Sequence, residues 1–199
     1  NIKFESINLS YFDLGINLED FVRYFLTVFW IVGITNSINW LDGLDGLAAG
    51  ISVIISIGLA INFFYYGNLD LGLILVSFCG ATIGFLRFNF YPAKILMGDG
   101  GSYFLGGILS IVSLKGINFL NQIDSFPNQD LVLPFQVLFL LFFIPITDLI
   151  FVTSSRIING ISPFYPDRTH IHHRLLQLNF SHRDTVIILY GISQFFSAI

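Results

Sequence analysis

The run Asn36-Ser-Ile-Asn39-Trp-Leu-Asp42-Gly43-Leu-Asp45 carries an amide or a carboxylate at every third position, and Gly46 follows it. It continues directly from Phe21–Ile34, a stretch apolar enough for lipid. Ionisable groups at such a place are costly and usually functional. Steps of three residues advance ~300° on an α-helix, so Asn36 and Asp45 fall on opposite sides of a straight one. They can line one cavity only if the helix tightens or breaks, which Gly43 and Gly46 permit. A polar helix end meeting water needs a cap; two amides and two carboxylates beside two glycines exceed that.

A second motif, Met97-Gly98-Asp99-Gly100-Gly101-Ser102, opens an apolar run. It joins a carboxylate to bare backbone N–H groups at a helix start. Hard oxygen ligands suit Mg²⁺, and helix N-terminal donors suit phosphate oxygens. Alone, the same residues also make an ordinary N-cap. The third motif is Ser162-Pro-Phe-Tyr-Pro-Asp167-Arg168-Thr169-His170-Ile-His172-His173-Arg174. No cysteine or further nearby histidine completes a tetrahedral zinc set. His and Arg suit the phosphates of a nucleotide or a lipid better, although a basic loop resting on anionic headgroups has the same composition. His182, in Ser181-His-Arg-Asp184, reads as part of a turn capping the last apolar run. Asp148 follows Pro145 within an apolar run, where it either has a partner or satisfies backbone freed by the proline. It is read as a supporting residue.

These groups need a frame, and composition names it. Of 199 residues, 54% are hydrophobic and 11% charged, with mean hydropathy +0.76. Soluble domains carry about 25% charged residues, so the expected class is an all-α, polytopic membrane protein. A net charge of −4 and the lack of a basic tail argue against a nucleic-acid partner. The single cysteine, Cys79, excludes an internal disulfide. At ~20 apolar residues per span, about six spans are expected, over 21–40, 47–66, 71–88, 102–120, 132–153 and 185–199. They form one transmembrane domain over 1–199, and both ends read as cuts through a longer protein.

Lys and Arg set the sidedness. With Asp42 and Asp45 towards the cytoplasm, that side gains Arg87, Lys94, Arg156, Arg168, Arg174 and Arg183, against Lys3, Arg23 and Lys115 opposite. The same alternation brings all three motifs to one membrane face.

Asn36–Gly50, Gly84–Gly101 and Ser162–Leu176 together resemble the polyprenyl-phosphate N-acetylhexosamine-1-phosphate transferases, over nearly the whole chain. The resemblance implies transfer of a sugar-1-phosphate from a UDP-N-acetylhexosamine to a polyprenyl phosphate, such as undecaprenyl phosphate, with release of UMP. It implies Mg²⁺, or Mn²⁺, in a bacterial cytoplasmic membrane, with the site on the cytoplasmic face; a homodimer is an admissible assembly. By motif, Asp99 and Asp42 are the expected metal ligands, and Asp42, Asp99 and Asp45 the catalytic carboxylates. Asn39 would line the metal–diphosphate region, with Asp45 towards the nucleotide. Asn36, Asn89 and Leu96 are expected at the nucleotide, and Arg168, His170, His172 and His173 at the sugar-nucleotide phosphates. Pro-Asp-Arg-Thr-His-Ile-His-His-Arg resembles the branch that uses UDP-GlcNAc, with UDP-GalNAc or a modified hexosamine as alternatives.

Two departures stand out. The family carries an adjacent acidic pair in an earlier cytoplasmic loop. This chain has no Asp-Asp, and Glu19-Asp20 falls on the opposite face, so these residues alone are expected to be inactive. Leu96 stands where part of the family has an aromatic able to stack on uracil. A catalytically dead scaffold and an ion-coupled transporter are the rival classes; acidic groups at span ends rather than at midplane speak against the transporter.

Overall fold

The structure is a computed structural model and describes residues 18–120, 132–162 and 169–198. It is helical, with eight helices in the described residues: α1 (Leu18–Leu41), α2 (Leu47–Tyr65), α3 (Leu69–Asn89), α4 (Gly98–Leu120), α5 (Val132–Leu141), α6 (Phe143–Ile158), α7 (Ile171–Gln177) and α8 (His182–Ser197). The expected all-α, polytopic membrane architecture is what forms. Four of these helices, α1 to α4, are individually long and apolar enough to cross a membrane.

The expected span at 132–153 is not one helix. Phe142 leaves helical geometry at φ −94°, ψ 21°, and separates α5 from α6. Pro145 has no N–H to give the Leu141 carbonyl, and its ring crowds the preceding turn. The expected last span becomes α8, 16 residues long. Its start is the capped turn expected there, because Ser181 Oγ accepts from the Asp184 backbone N–H at 3.1 Å.

Helix α2 is the most buried of the four long helices and pairs with α3, α4 and α8. It is apolar all round, as an inner helix must be. Helix α1 lies along α4, held at one point by very close approach. A Cβ on Gly106 would fall 2.7 Å from the Cα of Thr35, so only glycine admits this crossing, the usual device where lipid supplies no hydrophobic drive between helices. Trp30 completes the seam: its indole N–H donates to Ser113 at 3.0 Å, and its ring meets Phe142 edge-on. Outward faces carry Phe21, Phe25, Phe29 and Leu73, all exposed, as befits a surface solvated by lipid.

Candidate active site

The polar ladder breaks the helix as its spacing demands. Helix α1 ends at Leu41, and the Asp42 N–H bonds back to the Asn39 carbonyl at 3.1 Å, a tightened last turn. Residues 42–46 then form a turn ahead of α2. Gly46 adopts φ +81°, a conformation that side chains disfavour. Both sides of the Gly46 residue are held: its N–H donates to Asn89 Oδ1 at 3.1 Å, and its carbonyl accepts from the Tyr190 hydroxyl. Asp45 Oδ2 accepts from the Ala93 N–H at 2.9 Å and ties this turn to the loop before α4.

Around the turn the three motifs meet. Asn39 Nδ2 lies 3.1 Å from Asp99 Oδ1 and 2.8 Å from Ser102 Oγ, so the first turn of α4 is bonded to the last turn of α1. Asp42 is half-buried, and its carboxyl is pushed up to about 6. Burial is the main cause; the neighbouring charge of Asp99 adds to it, the Gly98 backbone N–H partly offsets it, and Asp45 adds a smaller push. Two carboxylates that repel across a small gap are an oxygen-donor set that a divalent cation relieves. Asp42 and Asp99 therefore fit Mg²⁺, which commonly takes one or two carboxylates and completes its shell with substrate phosphates and water. Among the described residues no three acidic, His or Cys side chains group as a metal cage.

The histidine segment closes the other side. His172 lies against Gly43, where a Cβ would fall 2.4 Å from its Nε2. It is 1% exposed, and among the described residues neither ring nitrogen has a hydrogen-bond partner. Burial, reinforced by His173, lowers its pKa to about 4, so the ring is neutral at pH 7. An unpartnered buried imidazole is costly, and here it packs against the residue that follows Asp42. His173 stacks at a tilt against it, with centroids 4.3 Å apart.

Some expected roles change. Asn89, expected to help shape the nucleotide pocket, is 2% exposed, with its Oδ1 accepting from the Gly46 N–H and its Nδ2 donating to the Ile95 carbonyl at 2.9 Å. With both ends of its amide engaged, it is a bracket between two site loops. Asp45 likewise commits one oxygen to the loop. Asn36 donates to the Val32 carbonyl of its own helix at 2.7 Å and joins neither Asp42 nor Asp99. His170 is turned inward, 7% exposed, with Nδ1 2.8 Å from Asp148 Oδ2. Leu96 is 77% exposed. Arg168 lies outside the described residues. Asp148 has the partner a buried carboxylate needs, and it is the histidine segment rather than backbone freed by Pro145.

Sequence reasoning passed over three contributors. Trp40 lies inside the ladder and meets His170 edge-on at 5.3 Å, with the Arg156 guanidinium 5.2 Å from its ring centre. Tyr190 reaches Gly46 from 144 positions away. An aromatic residue between polar ladder positions was the available signal for Trp40, and a basic residue in an apolar run the one for Arg156. None marked Tyr190.

Residues 1–117 match glycosyl transferase family 4. The chain is 44% identical over 189 residues to a "Probable undecaprenyl-phosphate N-acetylglucosaminyl 1-phosphate transferase" of Bacillus subtilis, covering 94% of this chain and 48% of that protein. It is 38% identical over 200 residues to a "Decaprenyl-phosphate N-acetylglucosaminephosphotransferase" of Mycobacterium leprae, covering 92% of this chain and 50% of that one. It is 40% identical over 110 residues to a "Phospho-N-acetylmuramoyl-pentapeptide-transferase" of Listeria welshimeri, covering 55% and 34%. The chain thus spans about half the length of the first two relatives. The broken ladder, the paired carboxylates and the histidine segment belong to a chain with this relationship along most of its length: it is a member of glycosyl transferase family 4.

Proposed function

We propose that the protein transfers N-acetylglucosamine-1-phosphate from UDP-GlcNAc to a polyprenyl phosphate, undecaprenyl phosphate in the first instance, and releases UMP. The site faces the cytoplasm from a bacterial cytoplasmic membrane. The observation that carries this reading is the meeting of Asp42, Asp99 and Asn39 with the buried, unpartnered His172 at one helix break. The names of the relatives support the choice of sugar and lipid.

An oxygen of the acceptor phosphate attacks the sugar-bearing phosphorus directly. A P–O bond forms there, the bond from that phosphorus to the bridging oxygen breaks, and UMP leaves with that oxygen. The acceptor phosphate is already ionised at neutral pH, so the chief demand is positioning and charge stabilisation. Asp42 and Asp99 would hold Mg²⁺ or Mn²⁺, which when bound neutralises diphosphate charge. Asn39 fixes the Asp99 carboxylate, and Ser102 fixes Asn39. Neutral His172 offers one ring N–H to a phosphate oxygen. Asn89 and Asp45 hold the two loops at a constant separation.

The test is transfer of radiolabelled GlcNAc-phosphate from UDP-GlcNAc into lipid by membranes carrying the protein. Labelled lipid that depends on Mg²⁺ and on added polyprenyl phosphate is expected. Labelled water-soluble sugar with no labelled lipid would replace this reading with hydrolysis.

The metal role has its own pH signature. With its carboxyl at about 6, Asp42 is about one-tenth ionised at pH 5 and about nine-tenths at pH 7. Cation affinity should therefore rise about tenfold between these values, read by Mn²⁺ paramagnetic resonance on the protein in detergent. Asp42→Asn should flatten the profile; an affinity independent of pH in the unsubstituted protein removes Asp42 from the ligand set. The linkage to stability has the opposite sign. A carboxyl raised by folding stabilises most below the ordinary carboxylate range, and that stabilisation is lost as pH climbs through 6 without metal.

A further inference from the structure

Helix α7 carries His172 into the site, yet it is only seven residues long. A helix of two turns does not hold itself together in water or at an interface. Its N-cap, His170, makes no side-chain cap bond. Something outside it must fix its position.

That group is Asp148, 2% exposed on α6. Its Oδ1 accepts from the backbone N–H of Ile171, the first residue of α7, at 2.7 Å, and its Oδ2 lies 2.8 Å from Nδ1 of His170. One carboxylate thus caps α7 from another helix and binds the residue before it. Because both oxygens accept, Nδ1 of His170 must carry its proton, which sets the tautomer of the ring. The His170 ring lies nearly parallel to His172, with centroids 5.7 Å apart and planes 13° apart, and it also meets Trp40 edge-on. At the distal end, the Arg174 guanidinium sits 3.9 Å over the Phe151 ring, also on α6.

We infer that Asp148 is a positioning residue: through His170 and the Ile171 N–H it sets the height of α7, and so the place of His172 over Gly43. The consequence for the reaction rests on the transferase reading above; the anchoring does not. A carboxylate is required, because asparagine offers one acceptor oxygen and must turn its NH₂ towards the second donor. His170 has a matching chemical test. Asparagine places a donor where Nδ1 stands and can still reach Asp148, whereas glutamine places its amide at the Nε2 position and cannot.

Hydrogen–deuterium exchange over 169–178, on the protein in detergent, reads the anchoring directly. Asp148→Asn and His170→Gln should exchange at least about tenfold faster there, while His170→Asn stays within about twofold of the parent. Peptides of α2 and α8 should be unchanged. Protection retained in Asp148→Asn, or His170→Asn and His170→Gln behaving alike, overturns the inference. Should Asp148→Asn fail to fold, the pair at His170 still decides. In the transfer assay, Asp148→Asn should raise the KM for UDP-GlcNAc about tenfold and leave that for polyprenyl phosphate unchanged; equal rises in both overturn the positioning role. A parent protein without transfer would defeat the transferase reading and leave the exchange data to judge Asp148.

Discussion

Asp99→Asn is expected to lower Mg²⁺-dependent transfer by about three orders of magnitude, ~4 kcal/mol of barrier, while the protein still inserts and folds. Asp99 sits in the first turn of α4, where Asn39 reaches it from the end of α1. Asparagine there can keep the bond to Asn39 by turning its carbonyl oxygen towards it, so the fold loses little. The charge is what disappears. In the proposed reaction a bound cation would then lack one hard ligand, and the diphosphate would lack the positive centre that offsets its repulsion of a second phosphate. A companion change checks the cause. The Asp42 carboxyl is raised in part by Asp99, so it should move down in Asp99→Asn, and the pH dependence of residual cation binding should shift to lower pH. Near-normal turnover, or turnover lost together with membrane insertion, would remove Asp99 from the metal role. Turnover is read as labelled lipid formed per unit of protein, and insertion by resistance to carbonate extraction.

Gly43→Ala is the second large effect, and it acts by packing alone. Among the described residues the glycines with positive φ are Gly46, Gly67, Gly98 and Gly160, and Gly43 is not one of them, so alanine meets no backbone strain. Its Cβ would instead fall 2.4 Å from Nε2 and 3.0 Å from Cε1 of His172. The ring is buried and the nearest atoms belong to the ring itself, so His172 or the 42–46 turn must move. Overpacking of this kind costs about 1–3 kcal/mol, and the displacement falls between Asp42 and His172, the two groups to which the proposed reaction gives the cation and a phosphate oxygen. The expected result is a loss of about a hundredfold in kcat/KM for UDP-GlcNAc, carried mainly by the donor, because 1 Å at such a place matters that much. A double-mutant cycle isolates the mechanism. His172→Ala removes the obstructing ring, so adding Gly43→Ala to it should cost no further thermal stability. Additive losses in the double variant would show that Gly43 serves the turn by some route other than contact with His172.

The histidine segment illustrates how a correct location can hide different roles. From the sequence, His170, His172 and His173 form one cluster beside phosphates. In the fold, His170 is spent on Asp148, and His172 is left with two unpartnered nitrogens at the site. Residues two apart on a short helix point in different directions, so neighbours in sequence divide between frame and cavity. Asn89 follows the same logic. The family resemblance expects it at the nucleotide, and in the fold its amide satisfies one donor and one acceptor from two loops at once.

The sequence by itself determined the long helices and the break that ends the first of them. Apolar runs of spanning length, interrupted by Gly, Asn, Asp and Pro, place α1 to α4 within a few residues of their ends, because lipid leaves a helix as the one economical way to satisfy the backbone. The three-residue ladder also demanded a break, since helical rotation is a local property, and the break is at Asp42. What only the tertiary structure decided is which helices touch and at what height. Phe142 divides an apolar run that hydropathy reads as continuous. Asp148 meets His170 across 22 positions, and Tyr190 meets Gly46 across 144. Periodicity describes the face a residue shares within its own helix. The partner on the next helix depends on a crossing fixed by close contacts such as Gly106 on Thr35, and no spacing within one helix encodes it.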